Sequence, residues 1–211
     1  MEKLVFKPLT TKEEIDTYLD KVEHYSGVRL PYSYALSCNI VGVFLQNRLA
    51  AGYMLVTKPT FRSLMFVPDE VKKEHSFFKN DDFEMMEVNG LWIGPSLKTP
   101  NLQLRVWSKL ILDIFRSRKK FVLLMRNSRN KNMERFMGMA DPMSLYQGQP
   151  SLMVGENTHD EIEVSVTTRW KIILNSHKYV QEFMERNKRA AEYYKAKSIP
   201  KITDQSPVNL A

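Results

Sequence analysis

The sequence predicts a mixed α/β domain. Its sheet is antiparallel in the N-terminal half, contains one parallel strand–helix–strand crossover, and is flanked by helices, with a further helix at the C-terminal end. Three observations predict this. Two apolar runs, 40–45 (Ile-Val-Gly-Val-Phe-Leu) and 49–56 (Leu-Ala-Ala-Gly-Tyr-Met-Leu-Val), stand either side of Gln46-Asn47-Arg48, the spacing of a hairpin. A strand-like run from Glu84 to Ile93, a Gly94-Pro95 break, an amphipathic stretch and the apolar run Phe121–Met125 make a strand–helix–strand unit. Its two strands must be parallel and joined right-handedly. Strict alternation at Ile162, Val164, Val166, Thr168, Trp170 and Ile172 marks another strand.

Taken in order, residues 3–9 read as a short edge strand ended by Pro8. Thr11 to Glu14 is a capping box, and Ile15, Tyr18, Leu19 and Val22 follow at helical spacing, so a helix runs to about Tyr25. Asn47 tolerates the positive φ of a tight hairpin turn. Residues 57–82 are polar, with Pro59 and Pro68, and read as an irregular excursion with room for a short helix. Thr99-Pro100 supplies an N-cap and a first-turn proline. Leu104, Trp107, Ile111, Ile114 and Phe115 form one face of the helix that follows, and Arg116 to Lys120 close it. Residues 130–139 predict a short helix, and Ser176 caps a last helix with Tyr179, Val180, Phe183, Met184, Ala190, Ala191 and Tyr194 on one face. The organisation is a domain over 1–175, a basic amphipathic helix over 176–197 and a loose tail over 198–211.

At 211 residues, with 43% apolar and 26% charged residues, the chain has the balance of a globular domain that builds its core without disulfides. Its one cysteine, Cys38, excludes an internal disulfide and a multi-cysteine zinc site. The four histidines show no local metal spacing, so no metal cofactor is expected. No run approaches the ~20 apolar residues that cross a bilayer, and Met1-Glu2-Lys3-Leu4 carries no signal pattern. The expectation is a cytoplasmic protein without a membrane partner. The net charge of +7 is concentrated in two stretches: 116–135 holds eight basic residues against one acid, and 176–201 seven against three. Such stretches suit a polyanion, whether nucleic acid, a phosphate-bearing cofactor or an acidic carrier protein.

Three local features carry a family resemblance over residues 3–174. They are the hairpin with Asn47 at its turn and Gly52 in its second strand, the run Glu87-Val-Asn-Gly-Leu-Trp-Ile-Gly-Pro95, and Met125-Arg126-Asn127 followed by Asn132 and Phe136. In this order they resemble the GCN5-related N-acetyltransferase superfamily. The resemblance implies that fold and an N-acyltransferase activity, in which an acyl group, acetyl foremost, passes from a coenzyme A-type thioester to a small or macromolecular amine. The family's donor loop reads Arg/Gln-x-x-Gly-x-Gly/Ala. Here the matching place is Leu97-Lys98-Thr99-Pro100-Asn101-Leu102-Gln103-Leu104, without a glycine, so the loop is degenerate.

Acyl transfer needs a polarised carbonyl, a neutral amine, a proton for the leaving thiolate and a held donor. For the donor, the resemblance points to Lys98, Thr99 and Asn101 at the start of the central helix, where unpaired N–H groups face an anion. It also points to the backbone of Leu91, Trp92 and Ile93, and to Asn127 and Asn132. Gly90 fits a bulge or a close ligand approach. Glu87 is the candidate base, since burial raises a carboxyl's pKa. Tyr146 is the candidate acid, since Phe136 stands near the place where the family carries its tyrosine. Cys38 has no sequence neighbour that would activate it. Two other readings share the fold: a nucleic-acid-directed protein that modifies a base amine or binds DNA or RNA through its basic stretches, and a non-catalytic relative that has lost the donor loop. The transferase reading requires that the corner at Lys98 and Thr99 present free amides between two diverging parallel strands.

Overall fold

The computed structural model describes residues 3–150 and 161–198. A seven-stranded sheet runs in the order β1 (Leu4–Pro8), β2 (Asn39–Leu45), β3 (Arg48–Val56), β4 (Met85–Ile93), β5 (Phe121–Asn127), β7 (Ile162–Thr168), β6 (Met143–Gly148). β1 to β4 are antiparallel neighbours, β4 and β5 are parallel, and β5, β7 and β6 are antiparallel again. The crossover between β4 and β5 is α5 (Pro100–Arg116).

Local chemistry fixes most elements. Thr11 and Glu14 make the reciprocal capping box at the start of α1 (Lys12–Ser26), and Gly27 ends it in the left-handed region. Leu45 pairs with Arg48 across Gln46 and Asn47, both at positive φ, which is the two-residue turn that matches strand twist. The Thr99 side chain caps α5, with Pro100 at its first position. Asn130 caps α6 (Lys131–Gly138).

Alternation in the strands sorts the core into two faces. Met54 and Trp92 pack with Ile15, Tyr18, Leu19 and Val22 of α1, while Tyr53, Leu55, Met86, Val122 and Leu124 pack with Leu110 and Ile114 of α5. The segment after β3 is more ordered than its composition predicts. It folds as α3 (Arg62–Met65), α4 (Asp69–Glu74) and two 3-10 turns, and buries Phe61, Phe66, Val67 and Phe77 against Met85, Leu123 and Val164. A five-residue helix, α2 (Tyr32–Leu36), carries no side-chain cap and so left no sequence signal.

The predicted strand through Ile172 is too long. β7 ends at Thr168, which pairs with Phe121, the first residue of β5, so beyond it no neighbouring strand remains. The Thr168 hydroxyl instead caps α7 (Arg169–Leu174) by accepting the Lys171 N–H at 3.2 Å. The last helix, α8 (Ser176–Ser198), packs on α5 and α6 through Tyr179 and Phe183. Val180 and Met184, expected on that packed face, are 41% and 55% exposed. The side chains of Ala190 and Tyr194, and the tail from 199, lie outside the described residues.

Candidate active site

The parallel ladder between β4 and β5 has three residue pairs, Met85 with Phe121, Met86 with Val122, and Glu87 with Leu123. Beyond Glu87 the two strands part. Gly90 explains where β4 goes. Gly52 pairs with Trp92 and Met54 with Asn89, so one β3 residue faces two on β4, a bulge with Gly90 at φ 56°. The Tyr18 hydroxyl donates to the Gly90 carbonyl at 2.6 Å and ties the bulge to α1.

A cavity of about 540 Å³ fills the gap and passes through the sheet. On the α1 side its wall includes Val28, Arg62, Phe66, Asn89 and Trp92. On the α5 side it includes Leu110, Ile114, Leu124, Ala140 and Ile172, nearly all apolar. Leu91, Asn127, Asn130 and Arg126 line it as well. Beyond Glu87 β4 has no strand partner on the β5 side; the Gly90 N–H there is taken by the Asn89 side-chain oxygen at 2.7 Å, and any β4 N–H left facing the gap suits a carbonyl.

Glu87 sits at the vertex, 1% exposed. Its Oε1 accepts the Ser63 N–H and the Asn89 side-chain amide, each at 3.2 Å, and Oε2 is buried without a hydrogen-bond partner among the described residues. Asn89 also donates to the Tyr34 hydroxyl at 3.1 Å. Burial pushes the Glu87 carboxyl up to about 7, against the opposing pull of the Ser63 N–H and the Arg62 charge. The carboxyl lies one layer behind the cavity wall, flanked by Asn89 and Arg62, which are on it. A group that titrates near neutrality one layer behind a cavity wall can exchange a proton with a bound amine through an intervening side chain or one water.

The sequence matches no family model, and no curated protein matches it. Solved structures do match. FeeM, an N-acyl amino acid synthase from uncultured soil microbes, superposes with a TM-score of 0.57 at 10% identity, over 80% of this chain and 92% of its own. An N-acetyltransferase from Staphylococcus aureus Mu50 gives 0.53 at 13% identity, over 80% and 99%. A putative acetyltransferase from Salmonella typhimurium, solved with its cofactor acetyl-CoA, gives 0.50 at 10% identity, over 79% and 94%. The chain has the GCN5-related N-acetyltransferase fold. At such identities the likeness concerns the fold, and the chemistry must be argued from this chain's own residues.

Within that fold the expected donor corner is built differently. Lys98, Thr99 and Asn101 are not on the cavity wall. The Thr99 hydroxyl and carbonyl both accept the Leu102 N–H, and the carbonyl also takes the Gln103 N–H. Leu97 is fully buried, and its carbonyl accepts the Gln103 side chain at 3.0 Å. Asn101 accepts the Asn187 amide of α8 at 2.9 Å. The helix start therefore caps itself and is braced by α8, and Pro100 has no N–H to offer. One of the two conditions set by the sequence, the parting of the strands, is met; the other is not, because Lys98 and Thr99 do not border the gap between those strands.

The other candidates divide. Leu91, Trp92 and Asn127 line the cavity, whereas Ile93 packs with Ala51 and Leu97 on the β3 side. Asn132 is exposed and off the wall; the asparagine that both lines the cavity and caps α6 is Asn130. Tyr146 lies in β6, off the wall, and its hydroxyl donates to the Gln149 carbonyl at 2.5 Å, so its proton is committed to its own turn. Cys38 is a half-buried thiol that donates to the Tyr34 carbonyl, and burial pushes it up to about 11. The sequence did not mark Arg62, which sits in a stretch that reads as irregular, or Asn89, whose partner Tyr34 lies 55 residues away.

Part of the basic charge is paired with acidic side chains of the same chain. Lys120 pairs with Glu84, Lys131 with Glu134, and Arg126 with Glu163. Arg135, Arg186 and Arg189 converge on Glu182, which is 4% exposed. The two basic stretches are thus in part neutralised by pairing within the chain, at the surface and around the buried Glu182. Among the described residues no group of three His, Cys, Asp or Glu could hold a metal, and no helix is long and apolar enough to cross a membrane.

Proposed function

We propose that this protein is an N-acyltransferase that moves an acyl group from a thioester to an amine within the through-sheet cavity. The observation that carries the reading is the β4–β5 ladder that stops at Glu87 and opens onto that cavity. The donor's acyl and pantetheine-like arm lies along the apolar α5 side, where Leu110, Ile114, Leu124 and Ala140 exclude water. Its carbonyl meets β4 backbone where that strand faces the gap near Leu91, and an N–H there would stabilise the charge that develops on oxygen. The amine enters on the α1 side. Its nitrogen forms a bond to the carbonyl carbon as the carbon–sulfur bond breaks, the amine proton passes to Glu87 by way of a water or the Asn89 side of the wall, and the thiolate leaves with a proton from solvent. With Tyr146 committed elsewhere, no tyrosine is assigned as acid. The self-capped start of α5 gives the donor's phosphates few amides, so the arm and acyl group supply most of the donor's hold.

The test is thiol release from acetyl-CoA and octanoyl-CoA in the presence of an amine panel, with thermal stabilisation by each thioester measured in parallel. Release that depends on an amine supports the reading. Stabilisation without release with any amine favours a binding relative of the fold that has lost catalysis, a reading for which the self-capped α5 speaks. Neither response ends the transferase reading.

A further inference from the structure

Arg62 opens α3 and reaches the cavity wall with its guanidinium over the Phe66 ring, 4.9 Å from the centroid. Its guanidinium makes no hydrogen bond or ion pair with any described residue, although its backbone lies against the Glu87 carboxyl. Burial draws its pKa down from the ordinary value, while the Glu87 carboxyl and the Tyr34 hydroxyl act the other way. An arginine keeps its proton in a protein. The cavity therefore holds a full positive charge whose guanidinium N–H donors have no partner among the described residues.

The nearest opposite charge does not close on it. Glu87 spends Oε1 on Ser63 and Asn89, and its Oε2 is buried with no hydrogen-bond partner among the described residues. A cation and a carboxyl that feel each other electrostatically are kept apart, each with unused hydrogen-bonding capacity, at the point where β4 and β5 separate. Leaving buried polar groups unpaired is costly, and a purely structural pair would make contact. The arrangement is complementary to a molecule that carries both charges itself. A carboxylate takes a guanidinium through two parallel bonds, and an ammonium group a few bonds away is set toward Asn89 and Glu87. A phosphate dianion would leave excess negative charge beside Glu87 that one arginine cannot offset.

We propose that Arg62 binds the carboxylate of the acyl acceptor, so that the acceptor is a free α-amino acid rather than a simple amine. The proposal rests on the transferase reading above. Phe66 and Val28 on the same wall leave an apolar surface for the amino acid's side chain.

The experiment compares the twenty amino acids with their carboxamides as acceptors, using the full chain, acetyl-CoA and octanoyl-CoA, and the variants Arg62→Met and Arg62→Lys. At least one amino acid is expected to be acylated with kcat/KM about 100-fold or more above its amide. Arg62→Met raises KM for that amino acid about 100-fold and changes the value for the amide less than about threefold. Arg62→Lys keeps the charge but not the fork, retains the fold, and falls between. If amides react as well as acids, or Arg62→Met affects both alike, the proposal is overturned while the transferase reading stands. If no acceptor yields thiol, the transferase reading falls. The Arg62 assignment then stands or falls on whether any free amino acid stabilises the unsubstituted protein thermally and fails to stabilise Arg62→Met.

Discussion

The Tyr18 hydroxyl donates to the Gly90 carbonyl at 2.6 Å, across 72 residues of sequence. This bond fixes the bulge that turns β4 away from β5, so the opening of the cavity depends on α1. A Cβ at position 90 would stand 2.6 Å from the Tyr18 oxygen and 2.8 Å from Met54 Cε, at a φ of 56° that side chains rarely adopt. Gly90→Ala should cost about 1–3 kcal/mol, or roughly 2–12 °C in Tm for a chain of this size. Tyr18→Phe leaves the Gly90 carbonyl unpaired and should cost about 1–2 kcal/mol. Denaturant unfolding of both variants checks the order; a Gly90→Ala protein as stable as the parent would mean that the bulge is not fixed as described.

Glu87 couples stability to pH with a definite sign. Its folded value of about 7 lies above the 4.5 of an ordinary glutamate, so between those limits the folded chain binds more protons than the unfolded one. The stability this group contributes is fully present below about pH 4.5, declines as pH rises, and is gone above about 7. A shift of this size corresponds to about 3 kcal/mol. The difference in unfolding free energy between the parent and Glu87→Gln should follow that curve, while other carboxylates cancel in the subtraction.

The same group gives the activity its pH dependence under the proposed function. Turnover should rise as Glu87 loses its proton around pH 7 and level off above it. Glu87→Gln should lower kcat about 10²- to 10⁴-fold and remove that limb of the profile. An unchanged profile in Glu87→Gln would remove the residue as the base.

Glu182 holds α8 to α6. It is buried and neutralised by Arg135 from α6 and by Arg186 and Arg189 from α8, with Arg186 at 2.8 Å. Arg186 also stacks over Phe136 at 4.6 Å, beside the Trp107, Phe136 and Tyr179 rings that join α5, α6 and α8. Glu182→Leu leaves partly exposed arginines that water still solvates, so the cost should be about 1–3 kcal/mol, below that of a fully buried pair. Hydrogen exchange should accelerate in α8 before it does in the β2–β3 hairpin.

Arg126 and Glu163 are cross-strand partners on β5 and β7, both largely buried. Arg126→Met strands the Glu163 carboxylate and should cost about 2–4 kcal/mol. The double variant Arg126→Met with Glu163→Leu should recover most of that loss, which a double-mutant cycle by chemical denaturation measures.

What the sequence determined by itself was everything governed by neighbours along the chain. The Thr11–Glu14 box, the Gln46-Asn47 turn, the Thr99-Pro100 cap and the period of each apolar run are local physics, and together they dictate the order of strands and helices and hence the fold. Glu87 was legible because a carboxylate inside an apolar strand has few roles. What only the tertiary structure decided was which polar groups were already taken. Thr99, Asn101 and Tyr146 spend their hydrogen bonds on the helix cap, on α8 and on their own turn, and the alternation through Ile172 broke because β5 offered no partner beyond Phe121. Arg62 and Asn89 became visible for the converse reason. A side chain's partners come from elements distant in sequence, and whether a charge is satisfied or left open to a ligand is settled only when those elements pack.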